Sequence, residues 1–449
     1  MAKGKVFLVI IVLLVVLVAL FQYSGRLSVG GLDFSSSDDI TDTDNDGVQD
    51  KFDACPTIPG SVYNNGCPDG SQSPPPSTSP STTSQPSQTN PPVTQPPTDI
   101  SLGIKDYPMG WYDAASSGNT PNEINSTGLL WQIDTGATTA FGVPIVGYGR
   151  VYVYVSETGT DLFLYCLDEN DGTFYWKTPL LSFPWSTPIL YDGDVYVSDE
   201  RIRSFDAITG APVLDIDERD SEYIKPFVIS DGMLFAGASG IFCLDLDSGE
   251  IKWTYENPSS YWVLSNIVYG NGKLFACTNS DAICIDEATG TKIWGSHTPD
   301  SYYGRYNISY YQGKLVVSNF SGDLTCLDAS TGGLAWGLNY TGPNTDYHYS
   351  PVCLANDRVY FVGTDDGLFC YDVVTGSMIW KETVLDISAI PPILGFNQVF
   401  IITTDGHLMS HKISNGEAQW GMAVDQYSEY SIANDRVYLV FGSNVACYG

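Results

Sequence analysis

The sequence predicts an all-β fold, an eight-bladed β-propeller of four-stranded antiparallel blades. Three observations predict it: a turn motif repeated at blade period, a repeated set of short strands, and an unmatched strand before the first complete unit. The motif is clearest in CLDASTGGLAW, Cys326 to Trp336. Cys326-Leu327 end one strand, Asp328 opens a tight turn, Gly332 supplies backbone geometry that a side chain resists, and Trp336 lies on the strand that leaves. Related stretches begin at Cys166, Ser204, Cys243, Cys284, Cys370 and Ser410, so successive starts lie 38 to 44 residues apart. A period of this length marks a repeat architecture.

Each unit carries the same strands in the same order. A branched or aromatic run precedes each turn, as in VYVYV at Val151, KLVV at Lys314 and VYFV at Val359. Before each run comes a short apolar strand and a turn rich in Gly, Asn or Asp, as in PILYDGD, Pro188 to Asp194. Four period-2 strands separated by polar turns, repeated at about 40 residues, make a propeller blade. The first outer strand, LLWQID at Leu129–Asp134, comes before any complete unit, and the last unit ends on a third strand at Cys447-Tyr448-Gly449. Pairing of these two would complete the eighth blade and leave no open seam.

The spacing D-x-x-x-G-x-x-x-W resembles the repeat of the pyrroloquinoline-quinone-type propellers, over roughly residues 125–449. That superfamily holds quinoprotein alcohol dehydrogenases and also the non-catalytic propeller lipoprotein of the bacterial outer-membrane β-barrel assembly machinery. The resemblance implies that Trp131, Trp176, Trp253, Trp294, Trp336, Trp380 and Trp420 dock against neighbouring blades. Leu214 stands where the pattern has Trp, so a weaker junction is expected there. The dehydrogenases carry adjacent cysteines beneath the quinone, and this chain has no Cys-Cys pair. No quinone cofactor and no catalysis are expected.

Residues 1–25 read as an N-terminal transmembrane anchor or signal. Lys3 and Lys5 precede sixteen apolar residues, Val6 to Phe21, which span about 24 Å as a helix. The lysines place the N-terminus inside and the remainder outside. An uncleaved anchor is the first reading and a removed signal peptide the second.

Residues 33–70 hold the sharpest chemical motif. DTDNDGVQDKFD sets Asp42, Asp44, Asp46, Asp50 and Asp53 at the carboxylate positions of a twelve-residue calcium loop, with Gly47 at the reversal and Val48 offering a carbonyl. A hard cation bound by oxygen ligands requires such a density of carboxylates, which would otherwise repel one another. The stretch to Asp69 resembles a thrombospondin type 3 repeat, which implies a disulfide between Cys55 and Cys67. The bland alternative is a solvated acidic linker. Residues 71–98 are rich in Pro, Ser and Thr and form a semi-rigid stalk of at most about 87 Å.

A formal charge of −32, from 52 acidic and 20 basic residues, argues against nucleic acid and anionic membrane surfaces as partners. The blade cysteines, Cys166, Cys243, Cys284, Cys326, Cys370 and Cys447, recur at one place per blade and read as small buried hydrophobes. The recurrent Asp168, Asp206, Asp245, Asp286, Asp328 and Asp372 read as turn caps, not as acids or bases.

Loops from an outer strand to the next inner strand ring the channel on one face of a propeller. Here they concentrate aromatic residues, with Trp185, Tyr223, Trp262, Tyr303, Arg305, Tyr347, His348 and Tyr430 as candidate partner-binding residues. Asp217, Glu218 and Asp220 share one of these loops but have no opposite carboxylate to complete a glycosidase pair. The leading expectation is a membrane-anchored cell-surface scaffold that binds other surface proteins. A glycan-binding or glycan-processing surface protein is the alternative, and a quinoprotein dehydrogenase is less favoured.

The calcium motif is testable in isolation. By calorimetry, a peptide of residues 33–70 with its disulfide formed should bind calcium, and Asp46→Ala should weaken binding at least tenfold. No uptake at millimolar calcium would leave the acidic-linker reading.

Overall fold

The computed structural model divides into two compact units, residues 1–94 and 95–449. In the first, the described residues form one antiparallel strand pair, Arg26–Val29 with Leu32–Ser35, which the sequence reading does not anticipate. In the second they are Met109 and residues 118–449, except 185, 217–226, 238–239, 257–262, 264, 279–280, 299–305, 320–322, 340–351, 364–366, 385–386, 388–389 and 426–427. The expected anchor, the calcium loop Asp42 to Asp53, the Cys55–Cys67 pair and the stalk lie outside the described residues. No helix among the described residues is long and apolar enough to cross a membrane.

Unit two contains eight four-stranded antiparallel sheets, as expected. Blades 1 to 7 follow in chain order from Thr139 to Ala423. Blade 8 joins three C-terminal strands, Glu429–Ala433, Arg436–Phe441 and Asn444–Tyr448, to Leu129–Asp134. The closing register sets Trp131 opposite Cys447 and Asp134 opposite Asn444.

Sequence dictates depth within each blade. Second strands such as Lys314–Asn319 (KLVVSN) are buried from their second residue onward, because both faces of a blade meet neighbouring blades and no polar side is needed. Outer strands such as Met378–Thr383 (MIWKET) alternate between exposed and half-buried residues, since only one side there finds a partner. In every blade but blade 7 the inner-to-second turn places both central residues at positive φ, as at Asp192-Gly193, Asn271-Gly272 and Asn434-Asp435. That geometry matches strand twist and explains the Asn, Asp and Gly found there.

Every outer strand carries a register shift beside the residue that precedes the Trp position, for example between Cys326 and Leu327, opposite Trp336 and Leu334. This extra residue swings the indole off its own sheet toward the next blade. It meets the turn glycine there: a Cβ on Gly376 would lie 2.6 Å from the Trp336 ring, and one on Gly332 2.7 Å from Trp294. Trp131, Trp176, Trp253 and Trp380 sit in the same way on Gly172, Gly210, Gly290 and Gly416. The indole N–H then donates to the carbonyl after the turn Asp, as Trp253 does to Glu287 (2.8 Å) and Trp336 to Val373 (2.9 Å). At the blade 1–2 junction the Tyr152 hydroxyl donates to the equivalent carbonyl, Ala207, at 2.9 Å.

Two positions depart from the expected docking. Leu214 does not reach Gly249, whose Cβ position is open, so the blade 2–3 junction lacks this contact. Trp420 has no turn glycine to meet, because the third and outer strands of blade 8 come from opposite parts of the chain and are not joined by that turn; Gly449 N–H donates to the Gly128 carbonyl there at 3.0 Å.

The turn aspartates are caps. Asp328 accepts the N–H groups of Ser330 and Thr331, each at 3.1 Å, and Asp372 accepts that of Thr375 at 2.7 Å. All eight blade-region cysteines are buried. Burial pushes the Cys326 and Cys277 thiols up to about 12, which suits hydrophobes rather than nucleophiles. The packed propeller takes in residues from Gly118 onward, ahead of the expected start at 125: Thr120, Asn122 and Ile124 are all buried.

Two predictions follow from the turn. Gly376→Ala should lower stability by about 2–4 kcal/mol, combining positive φ with a Cβ inside the Trp336 ring. Gly313→Ala, also at positive φ but facing open space, should cost only about 1 kcal/mol. Equal denaturation midpoints for the two variants would remove the indole from the account. The second concerns acid. The hydroxyls and N–H groups of Ser330 and Thr331 hold the Asp328 carboxyl below its usual value, Thr375 does so for Asp372, and Lys252 draws Asp245 down to about 2. Depressed folded values mean stability present above the unfolded value of about 3.9 and lost as pH falls through the folded ones. The melting temperature should therefore drop between about pH 4 and 2, and Asp328→Asn should flatten that drop. A melting temperature unchanged over this range would refute the caps' contribution.

Candidate interaction face of the propeller

Seven of the eight candidate partner-binding residues, Trp185, Tyr223, Trp262, Tyr303, Arg305, Tyr347 and His348, lie outside the described residues, as do Asp217, Glu218 and Asp220. Tyr430 is described and is a correction. It stands in the inner strand of blade 8 at 1% exposure. Its hydroxyl donates to the Phe400 carbonyl at 2.9 Å. Loop-like sequence around it hid the fact that the strand begins one residue earlier, at Glu429, and that the ring points into the blade 7–8 junction. Tyr430 is core, not surface.

The same face does present a built feature on the loop between blades 1 and 2. Leu181 and Phe183 are 50% and 58% exposed, yet both ends of their loop are held. At the start, Leu181 N–H donates to the Asp199 carboxylate at 2.7 Å. Asp199 is buried and paired with Arg203, whose Nε donates to it at 3.1 Å and whose Nη2 donates to the Pro179 carbonyl at 3.0 Å. Burial holds the Asp199 carboxyl above its usual value, and Arg203 and the Leu181 N–H pull against that. At the far end the Tyr154 hydroxyl donates to the Ser186 carbonyl at 3.1 Å.

Phe183 stacks on Phe141 with ring centroids 4.8 Å apart and planes 12° from parallel. Phe141 owes its position to an interruption in the blade 1 inner strand. Phe141 pairs with Tyr154 and Ile145 with Tyr152, so the residues between are left out of register. Gly142 adopts φ 80° there, with its Cβ position 3.2 Å from the Tyr154 ring. Its N–H supports the Glu429 carboxyl of blade 8, which burial nonetheless raises.

Sequence reasoning passed over Leu181 and Phe183 in favour of Trp185 on the same loop. The available signal was LLSFPW itself, an apolar cluster immediately after a strand where a polar loop would ordinarily run. Chemically the arrangement offers a rigid apolar projection beside a buried ion pair. Among the described residues, no group of three or more His, Cys, Asp or Glu is placed to hold a metal ion.

No curated protein matches the sequence. Solved structures match the fold. Quinohemoprotein alcohol dehydrogenase from Comamonas testosteroni superposes with a TM-score of 0.62 at 14% identity, covering 77% of this chain and 80% of that one. Quinohemoprotein alcohol dehydrogenase ADHIIG from Pseudomonas putida HK5 gives 0.60 at 14%, with the same coverage. BamB from Moraxella catarrhalis gives 0.55 at 14%, covering 72% of this chain and 99% of that one. Identities this low carry the fold alone. The family described as outer membrane protein assembly factor BamB matches residues 123–224 and 278–447; this spans more than half of the sequence, and the chain belongs to that family.

Proposed function

We propose that this protein is a non-catalytic protein-binding scaffold, anchored in the cytoplasmic membrane by its N-terminal helix with the propeller outside the cell. The observation that carries the reading is the Leu181–Phe183 projection. Exposed apolar side chains cost a monomer solubility, and these two are fixed in place by Asp199, Arg203 and Tyr154 instead of being allowed to fold back. Preorganised apolar anchors flanked by polar groups suit a protein partner, because little side-chain entropy is lost on binding. Membership of a family described by an assembly factor supports the same class of role. The calcium loop at Asp42 to Asp53 serves in this reading as a stiffened base for the stalk. Other cell-surface proteins are the partners, with surface glycans as the alternative ligand for the aromatic loops.

A quinoprotein dehydrogenase is the competing reading, and one experiment separates the two. A photo-crosslinking residue at Phe183, in cells, should capture a discrete partner, and Leu181→Ser should reduce that capture at least tenfold without moving the melting temperature. Purified protein given pyrroloquinoline quinone and calcium should elute from gel filtration free of quinone. Stoichiometric co-elution of quinone, with no crosslink at Phe183, would overturn the scaffold reading.

A further inference from the structure

Residues 118–124 bind the propeller in the manner of a peptide ligand. Leu394 N–H donates to the Gly118 carbonyl, Thr120 N–H to the Leu394 carbonyl, and Phe396 N–H to the Asn122 carbonyl, each at 2.8 Å. This is a short parallel pairing on the free edge of the blade 7 inner strand. Two carboxamides then fix the segment by its chemistry. The Asn122 side chain accepts the Asp435 N–H at 2.8 Å and donates to the Ile432 carbonyl at 3.1 Å, so it bridges to blade 8. The Gln398 side chain grips the backbone of Ile124 from both sides, accepting its N–H at 2.8 Å and donating to its carbonyl at 3.0 Å. Ile124 itself is 1% exposed and joins the core cluster that runs through blades 7, 8, 1 and 2.

The groove has room for this occupant at the end of the blade 7 inner strand. In blades 2 and 5 a tyrosine at that place accepts an N–H from the following blade's first turn: Tyr191 from Gly232 at 2.7 Å and Tyr311 from Asp357 at 3.3 Å. Blade 7 has Gly395 there, as blade 4 has Gly270. A Cβ there would stand 2.6 Å from the Asn122 carbonyl oxygen, so the glycine leaves room for a foreign backbone. Asn122 then supplies to Asp435 the acceptor that Tyr311 supplies to Asp357. The groove walls do not need the segment for their own pairing. Ile393-Leu394 pairs with Val399-Phe400, and Glu429–Ala433 pairs with Arg436–Val440. Ring closure is separate too, since it rests on Leu129–Asp134.

We propose that the seam between blades 7 and 8 is a binding groove for an extended peptide of pattern Asn-x-Ile, and that residues 118–124 are its resident, displaceable ligand. The main chain of such a peptide adds to the sheet edge, its carboxamide reads Ile432 and Asp435, and its aliphatic residue fills the core pocket. Tethering in cis keeps the groove occupied through high effective concentration.

Hydrogen exchange on the intact chain is the first test. The Thr120 and Ile124 amides should exchange through a local opening, at least tenfold faster than the Ile401 and Val440 amides. Exchange of all four at one rate would make the segment an inseparable part of the fold and overturn the proposal. The second test loosens the resident with Asn122→Ala in the full chain and adds a labelled peptide of residues 117–126. The peptide should bind this variant saturably, bind wild type at least tenfold more weakly, and lose binding when its own Asn is replaced by Ala. Gly395→Ala, which fills the space under Asn122, should abolish binding in the Asn122→Ala background. No saturable binding, or binding indifferent to Gly395→Ala, would overturn the proposal. Should Asn122→Ala fail to fold, the exchange rates of the wild-type chain decide alone.

Discussion

The contact between an indole and a glycine of the next blade is the constraint on which the ring depends. Neither partner is sufficient. The Trp must leave its own sheet, which requires the extra residue in every outer strand. The turn it meets must carry no side chain, since a Cβ on Gly210 or Gly376 would enter the indole at 2.6 Å. Glycine at that turn thus satisfies two demands at once, the positive φ of the turn and the close approach of a neighbour. The indole N–H adds a hydrogen bond to the carbonyl beyond the turn Asp. Conformation and packing at six of the eight junctions are therefore set by one eleven-residue motif, and repeating the motif builds most of the ring.

A closed ring made from one chain must break the repeat somewhere, and here it breaks in blade 8. The outer strand comes from Leu129–Asp134 and not through a turn from the third strand, so Trp420 has no turn glycine to sit on. Long-range pairing at this seam compensates for a missing short-range turn. The segment at 118–124 adds hydrogen bonds to blades 7 and 8 in the same region. These interactions reinforce the blade whose strands are not all joined by short turns, which an array of otherwise interchangeable blades needs.

Sequence made the ring legible because its determinants are local and periodic. The motif from Cys326 to Trp336 announces turn, glycine and indole within eleven residues, and Leu214 announces the one junction without the indole. What was not legible comes from contacts without a period. Asn122 and Gln398 are ordinary polar residues until residues far apart in sequence meet. Tyr430 looked like its aromatic neighbours on the loops because burial of an inner strand depends on the blade beside it. Leu181 and Phe183 were visible as letters, but only Asp199 and Arg203, from blade 2, turn a loop into a fixed projection. Nor did the strand pair at Arg26–Val29 and Leu32–Ser35 carry a periodic signal strong enough to predict it.

The same logic locates where specific function can reside. A residue repeated in most blades is explained by what every blade needs, and the turn aspartates, the buried cysteines and the indoles are all accounted for in that way. Specificity must then come from departures. Gly395 at the end of the blade 7 inner strand leaves room for the Asn122 carbonyl; the out-of-register stretch after Phe141 aims that ring at Phe183; Asp199 with Arg203 places a buried ion pair beneath a loop. An ion pair of this kind gains little stability over an apolar replacement, because desolvation offsets its attraction. Its value lies in geometry: Asp199 fixes the Leu181 N–H and Arg203 the Pro179 carbonyl, and the apolar side chains between them and Ser186 are left facing outward. The repeat supplies the platform, and its exceptions supply whatever the platform recognises.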